Sequence, residues 1–416
     1  MQPRESSYIL TDKGLWLRMK WLNARSVNSP FRWMKGRMVK VCMITTAHSP
    51  LDNRIFYKEA ISLMKAGYEV SVIGCTKSRI EGEKNGIDII GLEKGAGLKS
   101  NLLLWSDLAH EALNKDADIY HCHEPESFFV ALYLRLFHGK KIVYDVHEYY
   151  IDVIPLASLP MKMFLSFMLY LVEPLFCRFA EAVITADDGI AKRYFKFIKD
   201  VYVIFNFPTF DVFIDVDSII RNEKYPGNFV MIYVGGLSEE RGILELIKAT
   251  HEASKVHPEV KLVIIGEFRT KNFRDICIEY VRSNGLGDNV EFLGYVPHKE
   301  VPEYINASNV GTALFHPTRR FAKTAYPIKL FEYMICGKPV LVSNLPAIRK
   351  IIEESECGLL VDPMNIYEVA KAIIFMLEHP QDTKAMGYSG RRAVQNKYNW
   401  LKMETELLKL YKNISN

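Results

Sequence analysis

The sequence predicts an α/β protein made of two Rossmann-like α/β/α domains that face each other across a cleft. Short apolar runs alternate with amphipathic helical stretches along most of the 416 residues. This alternation is typical of parallel sheets that are covered by helices on both faces. It occurs in two separate series, and a polar stretch at 210–228, which contains Pro226, divides them. A chain of this length is also expected to hold about two domains.

Composition narrows the class of protein. The chain is 49% hydrophobic and 25% charged, as soluble globular proteins usually are. Its net charge of +4 is too small to indicate a nucleic-acid partner. Its seven cysteines are scattered and form no C-x-x-C pair, which favours reduced thiols over a disulfide framework. We therefore expect a cytoplasmic protein that binds no nucleic acid.

Residues 1–37 differ from the rest of the chain. They carry eight basic residues against two acidic ones, and three of the five tryptophans. A signal peptide needs an apolar core of about 7–15 residues, which this segment lacks. Basic residues interleaved with Trp and Leu favour a segment that lies on a membrane surface. The alternative is an extension before Met38, which directly precedes the first strand.

The first series, at 38–208, places polar residues directly after its predicted strands. Those strands cover 39–47, 68–74, 87–92, 117–122, 141–147, 202–208 and the start of 182–194. Ligands of parallel sheets bind beyond the carboxyl ends of the strands. The residues that follow three of these strands are His48, Asp52 and Arg54; His121, His123 and Glu124; and His147 and Glu148. A lone histidine at a strand end is usually structural, but three clusters at equivalent ends favour a shared cleft.

The most apolar segment is 154–180. Its uninterrupted apolar core, 163–172, has ten residues, whereas a helix needs about twenty to span a membrane. We expect this segment to be buried against the first sheet. Peripheral membrane contact is the alternative.

The second series, at 209–390, repeats the pattern, with predicted strands at 229–237, 261–267, 289–295, 310–315, 338–343 and 357–362. Its first strand ends in Gly235 and Gly236, and Arg241 stands near the start of the following helix. Glycines at such a turn let a ligand approach the backbone, and arginine adds a fixed charge. The turn lacks the G-x-G-x-x-G fingerprint of dinucleotide-binding domains, which weakens an oxidoreductase interpretation.

The stretch at 315–339 combines a helix start with concentrated positive charge. Pro327 suits the first position of a helix that ends before Gly337, so Lys329 falls in the first turn. The upstream basic residues are Arg319, Arg320 and Lys323. Positive charge at a helix N-terminus predicts a phosphate site, and Glu332 is placed to accept hydrogen bonds from sugar hydroxyls. The alternative is a solvated basic loop before an ordinary amphipathic helix.

No metal motif is convincing. Asp116 and Asp118 fit the D-x-D pattern of metal-dependent sugar transfer, but they precede a strand and so lie at the wrong end for a site. Cys122 stands between two histidines, yet nothing completes a zinc-ligand spacing. We predict no metal ligands.

The chain resembles the retaining glycosyltransferases of family 4, which have the two-domain GT-B fold. The resemblance covers roughly residues 39–411 and depends above all on PIKLFEYMICGKPVLVS. Supporting motifs are HSPLDNRIFYKEA, YHCHEPE, VYDVHEYY, NFP and YVGGLSEERGILELI. The closing NWLKMETELLKLY, in 391–416, resembles the family's C-terminal helix that crosses back onto the first domain.

This resemblance implies transfer of a sugar from a nucleotide donor, preferably a UDP-sugar rather than a GDP-sugar, with retention at the anomeric carbon. It implies no metal and no other cofactor. Lys329 and Arg241 would bind the diphosphate, Glu332 the ribose, and His147 would lie near the transferred sugar; these roles make His147, Arg241 and Lys329 the catalytic candidates. Gly235, Gly236, Leu330 and Thr324 would complete the nucleotide-sugar site. His48, Asp52, Arg54, His123 and Glu148 would form the acceptor side.

Two departures from the family pattern bear on activity. Thr324 stands where the E-x7-E motif has its first glutamate, and Gly236 where an arginine is frequent. We expect an enzyme acting on a glycan or lipid-linked acceptor for cell-surface polysaccharide or glycolipid, with peripheral contact at the inner face of an anionic membrane. The alternatives are a nucleotide-sugar epimerase of the same architecture and an inactive module that binds nucleotide sugar.

Overall fold

The structure, a computed structural model, describes residues 33–34, 37–95, 98–147, 167–210, 224–318 and 326–415. It contains two sheets in which parallel pairing dominates, with helices between the strands, so the predicted fold class is confirmed. Contacts between residues divide the chain into two compact units, Met1–Tyr120 with Tyr411–Asn416, and His121–Leu410. The domain limits at 208 and 390 remain predictions. Thr324, Glu148 and the greater part of 1–37 lie outside the described residues.

The first sheet has the strand order β10-β9-β8-β7-β3-β4-β6-β5. A short antiparallel pair, β1 (Trp33–Met34) and β2 (Arg37–Met38), precedes it. Its strands are β3 (Lys40–Ile44), β4 (Glu69–Thr76), β5 (Ile80–Lys84), β6 (Ile87–Glu93), β7 (Ile119–Cys122), β8 (Lys141–Val146), β9 (Ala182–Thr185) and β10 (Val201–Val203). β5 pairs antiparallel with β6 and is exposed at every residue. We did not predict β5, because an exposed edge strand has no apolar pattern to reveal it.

The helices between these strands begin with a π-helical turn, Ile55–Ala60, that continues as α1 (Ile61–Lys65). The others are α2 (Leu98–Lys115), α3 (Pro125–His138), a π-helical turn at Met168–Val172, α4 (Glu173–Phe176), a 3-10 turn at Cys177–Phe179, and α5 (Asp188–Tyr194). Local sequence defines α3 at both ends. Glu124 and Ser127 form a reciprocal capping box, and Gly139 closes the helix with a φ of 66°.

The second sheet is entirely parallel in its pairings and has the order β13-β12-β11-β14-β15-β16. Its strands are β11 (Phe229–Val234), β12 (Val260–Ile265), β13 (Val290–Gly294), β14 (Val310–Ala313), β15 (Val340–Ser343) and β16 (Gly358–Val361). The order reverses between β11 and β14. In doubly wound sheets ligands bind at such a switch point, beyond the carboxyl ends of the strands.

Helices cover both faces of the second sheet. A 3-10 turn (Glu239–Arg241) leads into α6 (Ile243–Ser254); then follow α7 (Lys271–Ser283), α8 (Val301–Ala307), α9 (Ile328–Ile335), α10 (Pro346–Ser355), α11 (Ile366–Glu378), α12 (Pro380–Asn396) and α13 (Trp400–Ser415). Alternate residues of β11 enter opposite cores: Ile232 packs with Phe331 of α9, and Met231 packs with Leu246 of α6. This two-sided burial explains why β11 is a continuous apolar run.

The described part of the apolar segment 154–180 corrects in part the expectation that it is buried. Phe167, Tyr170 and Leu171 are 54%, 61% and 44% exposed. Other described residues of the segment are buried as expected, namely Pro174, Cys177 and Ala180. Glu173 is buried with them, and its carboxylate accepts hydrogen bonds from Arg193 (2.8 Å) and from the hydroxyl of Tyr194 (2.7 Å). Each helix among the described residues is too short or too polar to cross a bilayer.

Candidate functional site

α9 begins one position later than the sequence predicted. Pro327 is the N-cap residue, in extended conformation, one position before the first helical residue. Gly337 follows the helix with a φ of 66°. Seven of the eight helix residues are buried, including Lys329 and Glu332. A lysine in the buried first turn of a helix is unfavourable unless an anion is bound nearby, because the helix dipole is positive at this end.

Lys329 is the central residue of the site. Its side chain is buried, and Nζ lies 3.6 Å from the ring centroid of Tyr233. Within the described part of the chain, Nζ has no hydrogen-bond partner. Burial lowers the pKa of Lys329 well below its ordinary value, Arg241 lowers it further, and Glu332 opposes this. A buried ammonium in such a position is a strong candidate to bind an anion.

Arg241 supplies the second cation. It ends the 3-10 turn after β11, and its Nε is buried without a hydrogen-bond partner among the described residues. The turn is fixed by Gly242, whose φ is 66° and where a Cβ would collide with the carbonyl oxygen of Leu314. Burial raises the pKa of Tyr233, and Arg241 acts in the opposite direction. Arg241 and Lys329 therefore both lie beside Tyr233. That the two cations bind a diphosphate remains a prediction.

The glycine turn lies directly at these cations. Gly235 has a φ of 128°, and a Cβ placed on it would be 3.0 Å from Nζ of Lys329 and 3.6 Å from Arg241. A side chain here would fill the space in front of both cations. Gly236 is open, with Arg269 as its nearest neighbour at 3.8 Å. Arg269 also lies 3.8 Å from a carboxylate oxygen of Glu240.

Sequence reasoning missed Arg269 and His298. Arg269 follows β12, and His298 follows β13, so both lie after strands of the sheet that also carries Gly235. Nε2 of His298 is 3.2 Å from Oε1 of Glu332. The same rule that identified Gly235, namely that sites form beyond strand ends, would have found both.

Leu330 occupies a different environment from that of the other predicted site residues. Its side chain is fully buried in the apolar core, and its N–H donates to the carbonyl oxygen of Pro327. A contact between its side chain and a nucleotide sugar would require the core to open.

A second cluster lies at the ends of β7 and β8, where both predicted histidines are found together. Nε2 of His147 is 2.9 Å from Oδ2 of Asp145 and 3.1 Å from Nδ1 of His123. His121 stacks on His123 with ring centroids 4.5 Å apart. Burial lowers the pKa of His123, although Asp145 opposes this. Sequence analysis did not identify Asp145 as a site residue, because it lies inside a predominantly apolar strand.

The predicted acceptor-side residues of the other unit form a local structure. Asp52 accepts hydrogen bonds from the N–H groups of Arg54 and Ile55, at 2.7 and 3.1 Å, and lies 3.7 Å from His48. Arg54 forms a buried ion pair with Glu59 at 2.9 Å. These contacts explain how the loop after β3 is held. Convergence of these residues with His123 remains a prediction.

Among the described residues, one of the places considered from the sequence offers a set of possible metal ligands. His121, His123 and Asp145 each offer a ligand atom within 4.8 Å of the others. Asp118 instead accepts a hydrogen bond from the N–H of Lys40 at 2.9 Å, directly before β7. Asp118 of the D-x-D match is thus bonded to the backbone, and the interpretation of the match as chance remains a prediction.

Comparison with protein families agrees with this geometry. A family model described as "Glycosyl transferases group 1" matches residues 217–393, and one described as "Glycosyltransferase Family 4" matches residues 53–207. The two matches lie side by side along the chain. The first includes Gly235, Arg241 and Lys329, and the second includes His123 and His147.

Curated relatives are distant. An uncharacterised glycosyltransferase of Methanocaldococcus jannaschii is 23% identical over 404 residues, which are 90% of this chain and 98% of that protein. An alpha-D-kanosaminyltransferase of Streptomyces kanamyceticus is 23% identical over 210 residues, which are 49% of this chain and 52% of that protein. For the latter the match therefore spans about half of the relative's length.

Solved structures share the fold. The Anabaena protein HepE, crystallised with UDP and glucose, has a TM-score of 0.70 at 15% identity, with 90% of this chain and 100% of that chain covered. A sucrose-phosphate synthase of Thermosynechococcus elongatus has a TM-score of 0.69 at 18% identity, with 90% and 99% covered. The chain belongs to the group 1 glycosyl transferases of family 4 and has the GT-B fold.

Proposed function

We propose that the protein is a retaining, metal-independent hexosyltransferase that moves a sugar from a nucleotide sugar, preferably a UDP-sugar, to a glycan or lipid-linked acceptor. The observation that carries this proposal is Lys329: a buried ammonium next to Arg241, in front of a glycine turn at the switch point of the sheet. A diphosphate satisfies both cations there. The crystallisation of HepE with UDP and UDP-glucose supports the choice of UDP.

Charge stabilisation is the main task of these residues. As the sugar leaves, negative charge develops on the diphosphate, and Lys329 with Arg241 would stabilise it without a metal ion. A retaining transfer without an enzymatic nucleophile proceeds by attack on the face from which the diphosphate departs. The acceptor proton can then pass to the leaving phosphate oxygen. The protein supplies orientation and charge.

Glu332 and His147 would hold the two ends of the donor. Glu332 is buried next to His298 and would accept hydrogen bonds from the ribose. His147 would contact the transferred sugar. Thr324 stands in the place of the first glutamate of the family motif. The loss of that carboxylate affects recognition of the donor sugar and is the reason why an inactive binding module is an alternative.

One assay separates transfer from its two alternatives. Purified protein is incubated with a panel of labelled nucleotide sugars and a membrane extract. Label that enters lipid or glycan supports the proposal. An isomerised nucleotide sugar would instead identify an epimerase, and binding without either product would identify an inactive binding module. Transfer should persist in EDTA; a loss that manganese restores would contradict metal independence.

The same proposal includes a cellular location. The enzyme would act in the cytoplasm, at the inner face of an anionic membrane, in the synthesis of cell-surface polysaccharide or glycolipid. The supporting feature is a surface that we call the apolar helical face, made of exposed residues of α3 and of the segment Met168–Phe176. These residues are Tyr133, Leu136, Phe137, Tyr170, Leu171 and Leu175. Exposed apolar side chains grouped in this way support contact with a protein or a membrane.

The helices of the apolar helical face lie on the same side of the sheet. Tyr144 of β8 stacks on Phe128 of α3, with centroids 4.2 Å apart, and also interacts with Glu173 of α4. Arg193 of α5 contacts Glu173 and lies 5.8 Å from the ring of Tyr170. Exposed basic residues lie nearby along the chain: Arg178 in the 3-10 turn after α4, Lys192 in α5, and Lys196 and Lys199 after α5. Aromatic groups beside basic ones fit an anionic lipid surface.

A further inference from the structure

Four polar side chains at the ends of β7 and β8 share one face of the sheet. His121 and His123 are two residues apart, and so are Asp145 and His147. Side chains alternate along a strand, so each pair points to the same side. β7 and β8 are neighbours in the sheet, which brings the two pairs together. The result is a compact cluster of three imidazoles around one fully buried carboxylate.

We propose that Asp145 is a positioning residue that holds the ring proton of His147 on Nε2, so that Nδ1 is presented as a hydrogen-bond acceptor to the transferred sugar. That the partner of Nδ1 is the transferred sugar rests on the proposed function. The proton placement rests on geometry. Nε2 of His147 lies 2.9 Å from Oδ2 of Asp145, the distance of a hydrogen bond to a carboxylate.

A carboxylate can only accept, so the nitrogen that faces it must carry the proton. In a neutral imidazole the other nitrogen is then an acceptor. This fixes both the orientation and the tautomer of His147, as a buried carboxylate does for the histidine of serine proteases. A sugar hydroxyl, which can donate, would bind Nδ1.

His123 supports the same arrangement from the other side. Its Nδ1 lies 3.1 Å from Nε2 of His147 and 3.6 Å from Oδ2 of Asp145. With its proton on Nε2, His147 can share that proton between Oδ2 of Asp145 and an unprotonated Nδ1 of His123, because the two nitrogens are within hydrogen-bond distance. Both neighbours then accept from His147, and neither donates to its Nε2. The buried rings of His123 and His121 also keep water away from the carboxylate.

The test reads the tautomer directly in the folded, ligand-free protein. Histidine rings labelled with ¹⁵N give distinct nitrogen shifts for the Nε2–H and Nδ1–H forms, and the signals of His147 are assigned from their loss in His147→Gln. We expect the Nε2–H form in the wild type. An Nδ1–H form, or a mixture of the two forms, in the wild-type protein overturns the proposal without reference to any variant.

Asp145→Asn is the complementary change. The amide can donate as well as accept, so His147 should lose its single tautomer, and transfer should fall by about 100-fold or more while the affinity for free nucleoside diphosphate stays within about threefold. The matched control is Asp187→Asn, which alters another buried aspartate after the neighbouring strand β9, one that accepts from the N–H of Ile190. An unchanged tautomer in Asp145→Asn, or an equal change in Asp187→Asn, overturns the role of Asp145.

The transfer assay and the ¹⁵N measurement distinguish failure of the proposed function from failure of the proposed role of Asp145. If no donor and acceptor support transfer, the sugar-transfer assignment falls, while the ¹⁵N measurement still decides where the proton of His147 lies. If Asp145→Asn does not fold, the wild-type spectrum alone decides the proposal.

Discussion

At the scale of single residues, the proposed function depends on buried cations whose position disfavours folding. Lys329 is buried beside a second cation, and this arrangement weakens the folded protein in the absence of ligand. A structural lysine in the same domain looks different: Lys338 is equally buried, but its Nζ donates to the carbonyl oxygen of Asn306. This contrast between a hydrogen-bonded and an unbonded buried amine is why we propose that Lys329, and not Lys338, binds an anion.

Replacing either cation should weaken diphosphate binding. Lys329→Met and Arg241→Ala each remove charge-assisted hydrogen bonds worth about 1.5–3 kcal/mol. We therefore expect the Kd for UDP to rise by about 10- to 150-fold in each, measured by calorimetry. Lys248→Ala on α6 is the control, because Lys248 lies outside the site, 5.8 Å from the ring of Tyr280. Near-normal affinity in both site variants would contradict the diphosphate assignment.

Diphosphate binding should take up a proton. In the free protein, burial and Arg241 lower the pKa of Lys329 well below its ordinary value, and the negative charge of bound UDP should raise it again. Between these two pKa values the complex holds more protons than the free protein, so affinity should fall as pH rises through that window. Calorimetry in buffers of different ionisation enthalpy, above about pH 7.5 where the diphosphate is fully ionised, measures the uptake.

The uptake should vanish in Lys329→Met; if it persists there, another group is responsible. The stability of the ligand-free protein should change in the opposite sense. Over the same window the unfolded chain keeps the Lys329 proton that the folded chain has lost, so the free energy of unfolding should rise with pH.

At the scale of elements, strand ends and helix starts assemble both clusters. α9 and the turn after β11 meet at Gly235, and β7 with β8 brings together two histidines and an aspartate. α4 and α5 are held together by a buried polar contact as well as by apolar packing. Glu173 of α4 accepts hydrogen bonds from two consecutive residues of α5, Arg193 and Tyr194.

Removing Glu173 should strongly destabilise the fold. Glu173→Ala leaves Arg193 without its carboxylate partner, and breaking a buried pair in this way costs about 3–5 kcal/mol. Glu354→Ala is a matched control, because Glu354 also binds a cation and the next tyrosine, Lys397 and Tyr398, but at the surface. An exposed pair contributes only about 0–1 kcal/mol. Urea denaturation of both variants measures the difference, and equal losses would contradict a special role for the buried contact.

The pH dependence of this contact also has a definite sign. Burial raises the pKa of Glu173, although Arg193 and Tyr194 act in the opposite direction. The folded protein then holds a proton that the unfolded chain has released, so the contribution of Glu173 to stability falls as pH rises through this range. Glu173→Gln should remove that slope.

At the scale of the whole molecule, the proposed membrane contact depends on the apolar helical face. Apolar groups gain about 25 cal/mol per Å² removed from water, and each basic residue near an anionic surface adds about 1 kcal/mol, less in salt. Six exposed apolar side chains with basic neighbours therefore support the proposal of reversible membrane binding.

The protein should sediment with anionic vesicles at low salt and be released by high salt. Leu136→Ser with Phe137→Ser should weaken the binding while the fold survives, since both side chains are exposed. Tyr388→Ser on α12, at a site 58% exposed in the native protein, is the control and should bind normally. Protein that stays in the supernatant, or a double variant that loses self-association instead of vesicle binding, would contradict the membrane assignment.

Much of the fold was predictable because its signals are local. Apolar runs such as that of β11 are continuous because the strand is buried on both faces, and Pro327 and Gly337 mark the ends of α9 through their backbone preferences. Lys329 and Arg241 could be predicted as a charged site from the same local signals. The family resemblance added the roles that local chemistry leaves open, and the family matches bear out the family itself.

Other features depended on contacts between distant parts of the chain. β5 has no apolar pattern, so only its pairing with β6 defines it. The apolar segment was predicted to be buried because hydrophobicity alone does not say which side of a helix meets a sheet, and Tyr170 proved exposed. Asp145, Arg269 and His298 acquired partners only when neighbouring strands aligned their ends. Sequence determines which groups a site can contain, whereas strand order decides which of them meet, because a hydrogen bond or ion pair needs atoms within a few ångströms.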